Sequence, residues 1–126
     1  MRSQYDLVAT PPMERYSRFL HDVTLSGEVW GLRSPSGWAT CASLDHPGTN
    51  SIPFWSSRPF AEQCAIADWG GYTPVSIPLD IFVVRWLTNM HDRSVEVGVN
   101  WSPDMSGYVA PAVAVQNELM QWLGLK

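Results

Sequence analysis

The sequence is short of positive charge. Of its 126 residues only eight are Lys or Arg, against twelve Asp or Glu, giving a formal net charge of −4. The single lysine is the final residue, Lys126. No basic run occurs, which argues against nucleic-acid partners, because phosphate recognition needs clustered Lys and Arg. The acidity is itself too mild for nucleic-acid mimicry. Charged residues of both signs make up 16%, below the usual quarter, which argues against disorder. Cysteine is scarce: Cys41 and Cys64 are far apart and form no CxxC pair, so a disulfide-stapled scaffold is excluded. Long apolar runs are also missing. The longest apolar-rich stretch, 81–87, is interrupted by Arg85 and falls far short of a bilayer span. Met1-Arg2-Ser3-Gln4-Tyr5-Asp6 lacks the apolar centre of a signal peptide. The expectation is a cytoplasmic protein with reduced thiols and no membrane partner.

Catalytic signatures are equally sparse. The chain contains no GxSxG, HExxH, P-loop or GxGxxG pattern. Three histidines each adjoin an aspartate, as His21-Asp22, Asp45-His46 and His91-Asp92. Neighbouring helical residues do not face one another, so these dipeptides are not paired ligands. His21 reads as a solvated helix residue, His46 as a loop tip, and His91 as a cation favoured near a helix C-terminus. A nucleophilic Cys41 or Cys64 would need a convergent base, and small-residue packing explains both more simply. Glu28 and Glu96 could meet across a sheet as a carboxylate pair, although strand carboxylates are usually solvated. No catalytic residue, metal or cofactor is expected.

What the chain has in quantity is tryptophan. Hydrophobic residues make up 45%, and seven Trp fall at 30, 38, 55, 69, 86, 101 and 122. Aromatics dominate core burial, so a compact core built on them is expected. The organising stretch is Glu28-Val29-Trp30-Gly31-Leu32-Arg33, a Ser34-Pro35-Ser36-Gly37 turn, and Trp38-Ala39-Thr40-Cys41-Ala42-Ser43. It reads as a β-hairpin. Trp30 and Trp38 are expected to be largely buried, with Trp30→Ala costing about 3–5 kcal/mol.

Residues 1–9 read as a flexible arm and 10–126 as one domain. Thr10-Pro11-Pro12 opens a helix with Met13, Tyr16, Phe19, Leu20 and Val23 on one side, polar residues including Arg15 on the other, and Gly27 as its terminator. Residues 51–55 read as an edge strand, because Pro53 cannot donate to a ladder. Ser57 caps a second helix reaching Gly70-Gly71. Residues 72–77, with Pro74, read as another edge strand. Pro78-Leu79-Asp80 opens a third helix whose core stripe is Leu79, Phe82, Val83, Trp86 and Met90. Val95, Val97, Val99 and Trp101 alternate with Glu96, Gly98 and Asn100, the signature of a half-buried strand. Residues 108–110 pair back, and Pro111 opens a last helix with Val115, Leu119, Trp122 and Leu123 inward. The fold class is α+β: a mostly antiparallel sheet of about five strands packed with about four helices.

Gly27-Glu28-Val29-Trp30, Gly37-Trp38-Ala39, Pro53-x-Trp55-x-Ser57 and Ile77-Pro78-Leu79-Asp80-x-Phe82-x-x-x-Trp86-Leu87 resemble a group of small bacterial proteins, the domain-of-unknown-function 2750 family. The resemblance runs from about Tyr16 to Leu123. It implies a small soluble bacterial protein and carries over no activity, cofactor or site residue. It also implies more polar residues at positions 81 and 84 than the Ile81 and Val84 found here.

Those two residues direct the functional expectation. They lie off the third helix's core stripe at ~100° per residue, and one stripe cannot bury them together with Leu79 and Phe82. The last helix is the rival cover for that face. Ile81, Val84, Arg85 and Thr88 are the interface candidates. The favoured expectation is a non-enzymatic protein-binding module, in concrete form an immunity or antitoxin-like inhibitor of a toxin or effector, or a homodimer. The alternative is a small-ligand-binding protein or small enzyme with an aromatic-lined pocket.

Overall fold

The structure, a computed structural model, describes residues 9–42, 48–104 and 107–124. The first helix, α1 (Pro12–Ser26), buries Tyr16, Phe19, Leu20 and Val23 on one face. Gly27 ends it in the left-handed conformation, φ 77°, and its N–H bonds the Val23 carbonyl at 2.8 Å, the geometry for which glycine carries no Cβ penalty. Thr10 does not cap the helix. Pro11 occupies that position, with no side-chain cap, and the Thr10 carbonyl accepts from Arg15 Nε at 2.8 Å. Arg15, expected on the solvent side, is buried. The arm at 1–9 lies outside the described residues except for Ala9.

The α+β reading holds, and the mostly antiparallel strands divide between two sheets. The first has the order β2-β1-β5, with β1 Glu28–Ser34, β2 Gly37–Trp38 and β5 Thr73–Pro78. The second has the order β3-β4-β6-β7, with β3 Cys41–Ala42, β4 Asn50–Phe54, β6 Glu96–Val99 and β7 Tyr108–Pro111. The organising hairpin is short: only Arg33↔Trp38 and Ser34↔Gly37 pair across it. After Ala39 the chain leaves and pairs with β4 instead, Cys41 opposite Ser51. The main partner of β1 is β5, from Glu28↔Pro78 to Arg33↔Thr73. A reciprocal pair of backbone bonds between Trp30 and Trp55, 2.9 and 2.8 Å, staples the two sheets together.

Pro74 sits in an edge strand, as expected. Pro53 does not: β4 lies inside its sheet, running parallel to β6. Alternation explains the exception. Phe54 turns its carbonyl towards β6, bonding Asn100 N–H at 2.8 Å, while Trp55 bonds Trp30 on the other side. Pro53 therefore directs its missing N–H away from β6. On that side the two-residue β3 reaches only Ser51 and Asn50. No ladder bond is lost.

The core forms two clusters. The larger joins α1, Val29, Phe54, Ile77, Val97, Val99 and the later helices; the smaller holds Leu32, Ala39, Trp55, Ala61, Cys64, Trp69 and Trp101. Trp55 is completely buried, whereas Trp30 and Trp38 are half-buried, one against each cluster. The full burial expected of the hairpin tryptophans belongs to Trp55, because the sheets join there. Strand β6 is likewise not half-exposed. Gly98 and Asn100 are buried along with Val97 and Val99, since an ideal Cβ on Gly98 would come within 2.6 Å of the Trp101 indole that covers it.

The second helix, α2 (Arg58–Gln63), is capped as expected by Ser57 Oγ, which accepts from Phe60 N–H. It stops at Gln63 rather than Gly70, and a 3-10 turn, Ala67–Trp69, carries Trp69 inward. Helix α3 runs over 79–92 as Leu79–Ile81, a π-helical turn Phe82–Trp86, and Leu87–Asp92. Helix α4 (Ala112–Trp122) buries Val115 and Leu119 against it, while Trp122 and Leu123, expected inward, are exposed.

Candidate functional site

The π-helical turn shapes a groove in the surface. In an α-helix the Leu87 N–H would bond the Val83 carbonyl; here it reaches Phe82 instead. The Val83 carbonyl is taken by Gln116 Nε2 of α4 at 2.8 Å, and the same amide group donates to Thr88 Oγ1 at 3.0 Å. A wider turn makes later residues lag in rotation. Leu87, outside the stripe at strict helical spacing, moves into the core with 0% exposure, and Trp86 rolls out to half-burial. Trp86 then forms a wall of a groove of about 310 Å³, lined also by Arg85, Asn89, Met90 and Ile52 of β4. The indole is braced edge-on by Trp38 at 4.7 Å and Phe54 at 5.7 Å between centroids.

The interface candidates all lie on the outside of α3. Val84 is 65% exposed and Ile81 37%. Arg85 and Thr88 are exposed as well. Helix α4 leaves Ile81 and Val84 of this face exposed. It packs instead on the Val83–Leu87 side, where Gln116 reaches over, so Thr88 is tied to α4 through its hydroxyl. Residues 81, 84, 85 and 88 are all exposed to solvent, and Arg85 also lines the groove.

A buried polar cluster, unsuspected from the sequence, joins α1 to the ends of β4 and β6. Asn100 is completely buried with φ 47°. Its Oδ1 accepts from Ser56 N–H at 2.9 Å, and its Nδ2 donates to Ser56 Oγ at 3.2 Å and to the Arg15 carbonyl at 3.4 Å. Arg15 Nη1 donates to the Asn100 carbonyl and to Ser102 Oγ, both at 3.3 Å. Ser56 Oγ donates to Asp22 Oδ2 at 3.4 Å, and Asp22 lies beside His21. The order is wrong for nucleophilic activation, which needs the imidazole next to the hydroxyl and the carboxylate behind it. The cluster fastens three elements and contains no assembled triad. The residue type of Asn100, which tolerates the left-handed conformation, is its only signal in the sequence, and an alternating strand pattern hides it.

The match to known families follows the same elements. The family model described as a protein of unknown function (DUF2750) matches residues 16–119. The chain belongs to the DUF2750 family. No curated protein and no solved structure shows a significant match. The matched segment contains every DUF2750 residue lining the groove, together with Gln116, Ser56 and Asn100.

Thiol chemistry is unfavourable in this DUF2750 chain. Burial pushes the Cys64 thiol up to about 11, against which the Trp55 side chain acts only in part. Its Sγ–H donates to the Trp101 carbonyl at 3.3 Å. Burial, with Asp68 nearby, also raises Cys41. Both stay protonated at neutral pH and are poor nucleophiles. Glu28 and Glu96 do not meet: they lie in different sheets, opposite Pro78 and opposite Ser51 and Pro111. Among the described residues no three or more His, Cys, Asp or Glu side chains converge as a metal site, and no helix is long and apolar enough to cross a membrane. Asp45-His46 lies outside the described residues.

Proposed function

We propose that this protein is a non-enzymatic protein-binding module of the bacterial cytoplasm, an immunity or antitoxin-like inhibitor that engages its partner through the outer face of α3. The observation that carries this reading is the exposure of two branched apolar side chains, Ile81 and Val84, which α4 leaves uncovered. Burying such a side chain against a partner recovers about 1.5–3 kcal/mol. Arg85 alongside them adds the residue type that, with Trp and Tyr, is enriched among binding hot spots. The raised thiols and the misordered Ser56–Asp22–His21 chain support a binding rather than a catalytic role.

The test is site-specific photo-crosslinking in the native host, with a crosslinker at Ile81, Val84 or Thr88 and control positions at Arg18 and Glu62. A discrete adduct is expected from α3 and not from the controls; an adduct of twice the chain mass would make the partner a second copy. Ile81→Glu with Val84→Lys should then weaken binding of the identified partner at least tenfold while the purified protein stays folded. Equal labelling at α3 and control positions would refute the reading.

A further inference from the structure

We propose that the groove between β4 and α3 is a binding site for a small organic acid, its carboxylate seated on Arg85 and its apolar body against Trp86, Met90 and Ile52. Four observations converge on it. The groove holds about 310 Å³ within five side chains, at the small end of ligand pockets, and five lining residues are far fewer than the roughly 20–30 a side that a stable protein partner covers. Its one charged lining residue is Arg85, for which no hydrogen bond or ion pair is found among the described residues. A guanidinium presents a planar fork that matches a carboxylate through two parallel N–H···O bonds. Asn89 follows Arg85 by one helical turn on the same side, placing an amide where it can take up the remaining acceptor capacity of that carboxylate.

The remaining walls are apolar and held in place. Met90 is buried, Ile52 is half-buried in the middle of β4, and the Trp86 ring is braced by Trp38 and Phe54. Arg33 in turn lies over the Trp38 ring, 5.4 Å from its centroid. Such bracing means that little side-chain freedom is lost when a ligand settles on the indole. The π-helical turn, secured by Gln116 on the Val83 carbonyl, is what rolls Trp86 into this wall. Turns of this kind recur at functional sites. The inference shares Arg85 with the protein-binding reading, which otherwise rests on Ile81 and Val84 across the helix from Trp86, residues that do not line the groove.

The test is a titration of isotopically labelled full chain, followed by nuclear magnetic resonance, with phenylacetate, hexanoate and indole-3-acetate. Phenylacetamide is the uncharged control. Saturable shifts are expected at the Trp86 indole N–H and the Asn89 side-chain amide for at least one acid. Phenylacetamide should bind at least tenfold more weakly than phenylacetate. Arg85→Met should reduce acid binding at least tenfold, and Arg85→Lys less, because lysine keeps the charge and loses the fork. Both substitutions are at an exposed position, so the fold is expected to persist. Equal binding of acid and amide, undiminished binding by Arg85→Met, or no groove shift with any acid would overturn the proposal. A short peptide with a free C-terminal carboxylate that binds where the free acids do not would also overturn it, assigning the groove to a protein partner.

Discussion

Replacing Asn100 by alanine probes the hub that joins α1 to the two strand ends. The side chain is completely buried and its amide group makes bonds of 2.9, 3.2 and 3.4 Å. Alanine leaves the buried Ser56 N–H without its acceptor, at a cost of about 1–3 kcal/mol. The bond to the Arg15 carbonyl is long, and its loss belongs at the bottom of that range. Alanine at φ 47° also meets the left-handed penalty that asparagine tolerates, about 1 kcal/mol. Together these predict a loss of about 3–5 kcal/mol, a large part of the stability of a small domain. Glycine at the same position loses the same hydrogen bonds but escapes the backbone penalty, so Asn100→Gly should recover about 1 kcal/mol of the alanine loss. Urea melts followed by circular dichroism, with unchanged slopes, measure both. An alanine variant within about 1 kcal/mol of wild type, or a glycine variant no better than alanine, would refute this account of the hub.

Trp55→Ala should destabilise by about 3–5 kcal/mol and Trp30→Ala by less than half as much, because Trp55 is 0% exposed and Trp30 only half-buried; parallel denaturant melts compare them. Gln116→Ala strips the Val83 carbonyl of its amide donor and should cost about 1–2 kcal/mol, with the Trp86 indole resonance shifting as the wall it forms loosens. The Cys64 thiol titrates higher when folded, at about 11 against an ordinary 9.0. Between those values the unfolded chain releases its proton first, so stability falls as pH rises from 9 to 11 and Cys64 contributes no slope below that window. Tyr16, whose hydroxyl burial also raises, with Glu118 and Tyr108 adding to it, acts in the same direction from its ordinary 10.0 upward, overlapping the upper half of that window. Cys64→Ala should flatten the slope between pH 9 and 11; an unchanged slope would contradict the burial argument.

Local chemistry made much of the fold legible. Gly27 had to end α1, Ser57 had to cap α2, and Pro74 had to lie on an edge, because each follows from one residue's own backbone or hydroxyl. The α+β class followed from periodicities of the same local kind. Tertiary structure decided whatever depended on a neighbour distant in sequence. Pro53 sits inside a sheet because β3 is too short to reach it. Trp55, rather than Trp30, became the buried anchor because two sheets meet at its backbone. Gly98 and Asn100 are buried, although alternation turned them outward, because Trp101 folds over one and α1 closes over the other. The groove was hidden for the same reason. A 3.6-residue period assigned Trp86 to the core and left Leu87 out, and the π-helical turn exchanged their positions. Its freed carbonyl is met by Gln116, 33 residues further along the chain, a partner that no local pattern can announce.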